Sequence, residues 1–197
     1  VRIEAHLDLP PGYRFVVASS GVTAEKTGGA MEKYNNLSLM TKEIAGKFDP
    51  RKTLEELVNE NGFESIDRQL TEEPLKRRLR HFYEESFLII PQVCQSLKNG
   101  DILQTGILID RSHRNADELL GNQTPETHFL QSSARENGAA AASAFGAGFG
   151  GSVYALVKNE TADDFLSNWR DAYLRKFPQF TSKSAFFITD AGQSELS

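Results

Sequence analysis

The chain has 197 residues, a formal net charge of −5, 39% hydrophobic and 25% charged residues, which is the size and balance of one globular domain rather than of a disordered or fibrous chain. That acidic balance argues against a general nucleic-acid binder, which carries a basic face, and no apolar run is long enough to span a bilayer. A lone cysteine, Cys94, excludes an internal disulfide, fits a reducing compartment, and sits in the helical apolar setting of a small buried hydrophobe.

The first residues lack the charged and apolar regions of a signal peptide, and the chain opens without methionine in mid-pattern, as a piece of something longer would. Pro10-Pro11-Gly12 introduces a strand over Arg14 to Ser19. A helix is expected from about Ala30 to Lys47, because Met31, Tyr34, Leu37, Met40, Ile44 and Phe48 recur every three or four residues. Asp49-Pro50 ends it, and Thr53-Leu54-Glu55-Glu56 is a capping-box pattern for a short helix to about Asn61-Gly62. A long helix starts near Glu73 with Leu75, Leu79, Phe82, Ile89, Val93 and Leu97 on one face, kinked at Pro91 because proline removes an interior hydrogen bond. The basic cluster Lys76-Arg77-Arg78-Leu79-Arg80 lies in this helix among glutamates and reads as a solvated face.

Asn99-Gly100 stops that helix, and Asp101 caps the next, which runs to about Ser112. His113, at its end, reads as a cap rather than as an acid or base. Thr124 as N-cap, Pro125 at the first helical position and Asn137-Gly138 as the stop define one more helix. A helix from about Ala162, capped by Thr161, carries Phe165, Trp169 and Tyr173 as a core stripe, and Ser184 to Thr189 closes the domain as a strand. Strands near Phe15, Ala141, Tyr154 and Phe187, with strong helix caps between them, give an α+β fold: an antiparallel sheet with helices on one face.

Four glycines fall within the six positions Gly146 to Gly151. Glycine loses more backbone entropy on folding than any other residue, so the cluster needs a local reason: positive φ, or close backbone approach to a ligand or another segment. Gly146, Gly148 and Gly151 match G-x-G-x-x-G, and Asp171 lies about 20 residues further on, as a dinucleotide fingerprint requires. That fingerprint needs a helix directly after the glycines, whereas Val153 to Val157 reads as a strand. Val153 also completes the protein-kinase pattern G-x-G-x-x-G-x-V, but no V-A-I-K strand follows and His113-Arg114-Asn115 is not H-R-D. A glycine hairpin remains, able to donate backbone N–H groups to an anion or to pack backbone tightly.

Arg80-His81 through Gly100-Asp101, then Ser112-His113, Thr124-Pro125-Glu126 and Phe145 to Gly151, resemble in order and spacing the galactokinases of the GHMP small-molecule kinases. Phe15 to Val22 with Tyr34-Asn35, and the tail Ala185 to Thr189, extend the resemblance over nearly the whole chain. It implies a ferredoxin-like core with helical additions, forming a single C-terminal domain over 1–197 of a cytoplasmic sugar kinase whose N-terminal domain is absent from this chain. It implies ATP and Mg²⁺ as cofactors of the complete enzyme, neither held by this segment alone, and a monosaccharide phosphorylated at its anomeric hydroxyl. The partners it implies are sugar, ATP and the missing N-terminal half.

By resemblance, Gly146, Ala147, Gly148, Phe149, Gly150 and Gly151 form the phosphate loop, with Gly148 also near the substrate. Tyr34 either hydrogen-bonds a sugar hydroxyl or is a helix-face core residue. The family's catalytic aspartate and phosphate-cradling serine lie in the N-terminal half, so no catalytic residue and no metal ligand is expected here. Ser143 and Phe145 stand where the family more often has a basic residue and a threonine. Those departures favour one alternative, a non-catalytic sugar-binding sensor or regulatory relative; a second, a stand-alone α+β interaction module, is favoured only if the native gene encodes nothing before Val1.

Overall fold

Gly12, at φ 83°, and a bond from the Tyr13 amide to the Pro10 carbonyl (3.2 Å) make the turn that launches the first strand. The computed structural model describes residues 7, 9–22, 29–146 and 148–190, with side chains in the first helix from 35 onward. In chain order the elements are β1 (Tyr13–Ser19), α1 (Gly29–Phe48), α2 (Leu54–Asn61), α3 (Phe63–Gln69), α4 (Glu73–Tyr83), α5 (Ile90–Lys98), α6 (Ile102–Asn115), α7 (Pro125–Glu136), β2 (Ala141–Phe145), β3 (Ser152–Lys158), α8 (Ala162–Lys176) and β4 (Ala185–Thr189).

The sheet is antiparallel throughout, in the order β2-β3-β1-β4, with Val16 of β1 opposite Ala155 of β3 on one side and Ile188 of β4 on the other. Counting α7 and α8 as its two crossovers, the core is β1-α7-β2-β3-α8-β4, the ferredoxin-like arrangement, and α1 to α6 are the helical additions. Period-two alternation decides which side chains face which layer. Val16, Ala18, Val153, Ala155 and Val157 point to α7 and α8, where Phe165, Trp169 and Tyr173 are buried as the stripe requires. Trp169 donates from Nε1 to the Leu130 carbonyl (3.0 Å) and to Ser133 Oγ (3.2 Å), and Tyr173 donates its hydroxyl to the Ser20 carbonyl (2.6 Å). The large rings are therefore buried without orphaned polar tips.

On the opposite face, Phe15, Tyr154 and Leu156 look into a 480 Å³ apolar cavity walled by Val93, Leu97 and Ile109 of α5 and α6. A second core, built from Ile44, Leu57, Ile66, Leu75 and Leu79, holds α1 to α4 together. No helix among the described residues is long and apolar enough to cross a membrane.

Three of the expected helix starts carry the side-chain caps read from the sequence. Thr53 and Glu56 make the reciprocal capping box, Asp101 Oδ1 accepts from the Gln104 amide (2.9 Å), and Thr124 with Pro125 starts α7. Such caps miss α3, which starts behind Gly62 with no side-chain cap and so leaves no signature. Thr161 does not cap α8; its hydroxyl donates to the Lys158 carbonyl (3.4 Å) in a 3₁₀ turn. Pro91 is not a simple kink either. The chain widens into a π-helix over Glu84–Ile89 that runs on without a break into α5, and Pro91 is the second residue after the widened turn. A second π segment, Ala116–Leu120, carries α6 past its expected end at Ser112 to a stop at Gly121 (φ 60°).

Candidate functional site

The hairpin between β2 and β3 is a run of left-handed backbone. Gly146 (φ 90°), Gly148 (80°), Phe149 (60°), Gly150 (121°) and Gly151 (86°) all have positive φ, and Phe149 is the single non-glycine residue among the described residues to do so. Only glycine enters this region freely, so the composition of the loop follows from its shape. Ala147 lies outside the described residues.

Two of these glycines are also forced by neighbours. A Cβ on Gly148 would stand 2.5 Å from the Asn122 carbonyl oxygen, and one on Gly150 would stand 2.9 Å from the Val22 carbonyl oxygen. Gly146 and Gly151 have open space at the same position. The loop is pinned at matching points: the Phe149 amide donates to the Asn122 carbonyl (2.5 Å), the Gly151 amide to the Val22 carbonyl (3.1 Å), and the Ser20 amide to the Gly151 carbonyl (2.9 Å). Tyr173 holds the Ser20 carbonyl from below, so α8 and β1 both brace the hairpin. The amides of Gly146, Gly148 and Gly150 have no partner among the described residues.

Gly148 is therefore required by protein packing, whatever else it does. Gly148→Val is expected to lose melting temperature and activity together, because the side chain must displace the backbone at Asn122. Thermal unfolding alongside turnover checks this; full stability with lost activity would instead give Gly148 to the ligand alone.

Behind the loop lies a 190 Å³ cavity, reached from Gly146, Gly148 and Asn122 on one side and from His81, Glu85 and Ser112 on the other. Ser112 Oγ donates to Glu85 Oε2 (3.0 Å), while Glu85 Oε1 is buried without a partner among the described residues, and burial pushes this carboxyl above its ordinary value. His81 is held down at about 4 by burial and by the Arg78 guanidinium beside it. Both π segments border this cavity, one through Glu85 and the other through Ala116 and Leu120. Widened turns of this kind are frequent at functional sites.

The outer edge of β2 meets side chains instead of another strand. Arg135 reaches the Ala139 carbonyl, Gln131 Nε2 donates to the Ala142 carbonyl (3.3 Å), and the Ala144 amide donates to His113 Nδ1 (3.3 Å). Asp110 ties the first two rungs, accepting from Gln131 Nε2 at 3.0 Å and from Arg135 Nε at 3.1 Å. Gly106 lets α6 come this close, since a Cβ there would stand 2.1 Å from the Ala140 carbonyl oxygen. His113 is thus not a helix cap: it is buried and spent on β2.

Tyr34 belongs to α1, but its side chain lies outside what the structure describes, so its relation to the loop is not fixed. Of the expected site residues, the structure places Gly146 and Gly148 to Gly151 in one loop. Asn122, Glu85 and the Asp110–Gln131–Arg135–His113 ladder escaped the sequence reading, since their roles depend on helices returning to β2. Among the described residues, no three histidine, cysteine or carboxylate side chains group so as to hold a metal ion.

Residues 94–175 match the family described as GHMP kinases C terminal. The galactokinase of Clostridium acetobutylicum is 31% identical over 172 residues, covering 84% of this chain and 42% of that protein. The galactokinase of Pyrococcus furiosus is 32% identical over 116 residues, covering 58% of this chain and 32% of that protein. The fold is also that of Lactococcus lactis galactokinase, solved in complex with galactose, with a TM-score of 0.79 at 23% identity over 94% of this chain and 47% of that one. The chain spans less than half the length of these relatives. Residues 94–175 thus carry the match to the C-terminal domain of the GHMP kinases, and most of the chain is similar to part of a galactokinase.

Proposed function

We propose that this chain is the C-terminal domain, over 1–197, of an ATP-dependent sugar kinase of the cytoplasm, and that Gly146 to Gly151 closes the phosphate end of its cleft. The observation that carries this reading is the set of glycine amides, at 146, 148 and 150, that find no partner among the described residues while the Phe149 and Gly151 amides are pinned to protein. A left-handed backbone with unspent N–H groups is a cradle for an anion, and a terminal phosphate carries charge on oxygens that such amides meet. The reaction is attack of a sugar hydroxyl oxygen, the anomeric one, on the γ-phosphorus of ATP. The new O–P bond replaces the bond to the β-phosphate, and ADP leaves.

The galactose held by the Lactococcus lactis relative makes galactose the first sugar to try. The base that takes the hydroxyl proton and the residues that would hold Mg²⁺ are assigned to the N-terminal half, the partner of this domain. The part proposed for this domain is the loop.

The test is the full-length protein with ATP and galactose, followed by phosphorus NMR for a sugar 1-phosphate. No transfer to any monosaccharide sinks the kinase reading. Tyr34 is proposed to meet the sugar. Tyr34→Phe in that protein is expected to lower kcat/KM for the sugar about two- to twelvefold, the loss of one neutral hydrogen bond, with KM for ATP unchanged. Unaltered sugar kinetics would return Tyr34 to the helix core.

A further inference from the structure

We infer that His113 is a positioning residue for the glycine loop, fixing the end of β2 through its bond to the Ala144 amide. This rests on the loop's role in the proposed kinase, although the contact itself does not. Ala144 is the second residue before Gly146, and its N–H lies on the edge of β2 that faces away from β3. A backbone amide can only donate, so Nδ1 of His113 must be the bare nitrogen and the ring proton must sit on Nε2. Burial first, with His128 nearby outweighing the opposing pull of Asp117, holds the imidazole down at about 4, so it keeps this acceptor.

Nε2, however, is buried with no partner among the described residues. An orphaned buried donor is destabilising, and a leucine of similar bulk would remove it. Folding stability is therefore a poor reason for histidine at this position, whereas an acceptor aimed at Ala144 is a specific one.

The other rungs support the same reading. Arg135 and Gln131 hold carbonyls at Ala139 and Ala142, and Asp110 accepts from both side chains, so the chain is held just before β2 and within it from α6 and α7. His113 is the last rung, and the only one whose bond lies directly before the loop. With it, the chain enters Phe145-Gly146 from a fixed point. Without it, the loop keeps its bonds to Asn122, Val22 and Ser20 and β2 keeps its pairing with β3, but the outer edge of β2 is unheld where the loop begins.

Two substitutions separate the acceptor from the bulk. In His113→Asn the amide oxygen, attached to Cγ, takes the place of Nδ1; in His113→Gln a carbon stands there and the polar atoms move out toward Nε2. A long-range ¹H–¹⁵N spectrum of the wild-type chain is expected to show the Nε2–H form. Amide exchange at Ala144 is expected to be about two- to twelvefold faster in H113Q than in wild type, as loss of one hydrogen bond dictates, and to return toward wild type in H113N.

In the full-length protein, H113Q should raise KM for ATP while leaving KM for the sugar in place, with H113N restoring it. An Nδ1–H tautomer, equal Ala144 exchange in wild type and H113Q, H113N no closer to wild type than H113Q, or an unchanged KM for ATP would each overturn the assignment. A wild-type protein that transfers no phosphate overturns the kinase reading instead, and the exchange comparison still decides what His113 does.

Discussion

Gly106→Ala is expected to destabilise the protein by about 3 kcal/mol or more, at or beyond the upper end of overpacking, although it places alanine in a helix interior where propensity favours it. The added carbon would stand 2.1 Å from the Ala140 carbonyl oxygen, and that neighbour is backbone, which cannot rotate aside as a side chain would. Relief requires α6 to lift from β2, loosening every rung that crosses between them. Chemical denaturation of the variant checks this, and the sign is informative. Helix propensity alone predicts a gain of about 1 kcal/mol, so a stabilised Gly106→Ala would mean that α6 does not pack on β2 as described.

Trp169→Ala is expected to cost about 3–5 kcal/mol, the range for removing a large buried aromatic side chain. Trp169 is fully buried, meets Phe186 edge to face at 5.6 Å between ring centroids, and spends its N–H on the Leu130 carbonyl and Ser133. Its loss opens a cavity at the point where α7, α8 and β4 converge, and it leaves Ser133 Oγ without that donor. Trp169→Phe keeps most of the ring volume and should recover much of the loss. Equal destabilisation by both variants would show that the indole N–H, rather than the volume, carries the effect.

These two residues also mark what could be read from the sequence. Trp169 was legible because Phe165, Trp169 and Tyr173 recur at helical spacing, and period alone places such a stripe in a core. The strands near Phe15, Tyr154 and Phe187 were legible for the same kind of reason, and the caps at Thr53, Asp101 and Thr124 fixed three helix starts. Gly106 was not legible. A glycine inside a helical pattern says only that something lies close, and here that something is a carbonyl 34 residues away in sequence.

The glycine loop shows both sides of this limit. Its left-handed shape followed from composition, but Gly148 and Gly150 are demanded by Asn122 and Val22, contacts with no local signature. His113 reads as a helix end from the sequence, whereas α6 runs on to Asn115 and the π segment Ala116–Leu120 carries the helix to Gly121, so His113 lies inside the helix and its imidazole accepts from β2.

The side chains along β2 have a consequence for how the protein meets copies of itself. An outer strand normally presents a row of unpaired amides and carbonyls, a template on which a foreign strand can dock. In β2 two of those positions are taken by glutamine and histidine reaching over from α7 and α6, with an arginine on the carbonyl just before the strand, so an intruder would have to evict hydrogen-bonded side chains before finding backbone to pair with. Among the described residues β4 pairs with β1 alone, over five residues, and it is flanked by no such row. Among the described residues, the edge of this sheet left open to strand addition is thereby that of β4, the edge opposite β2.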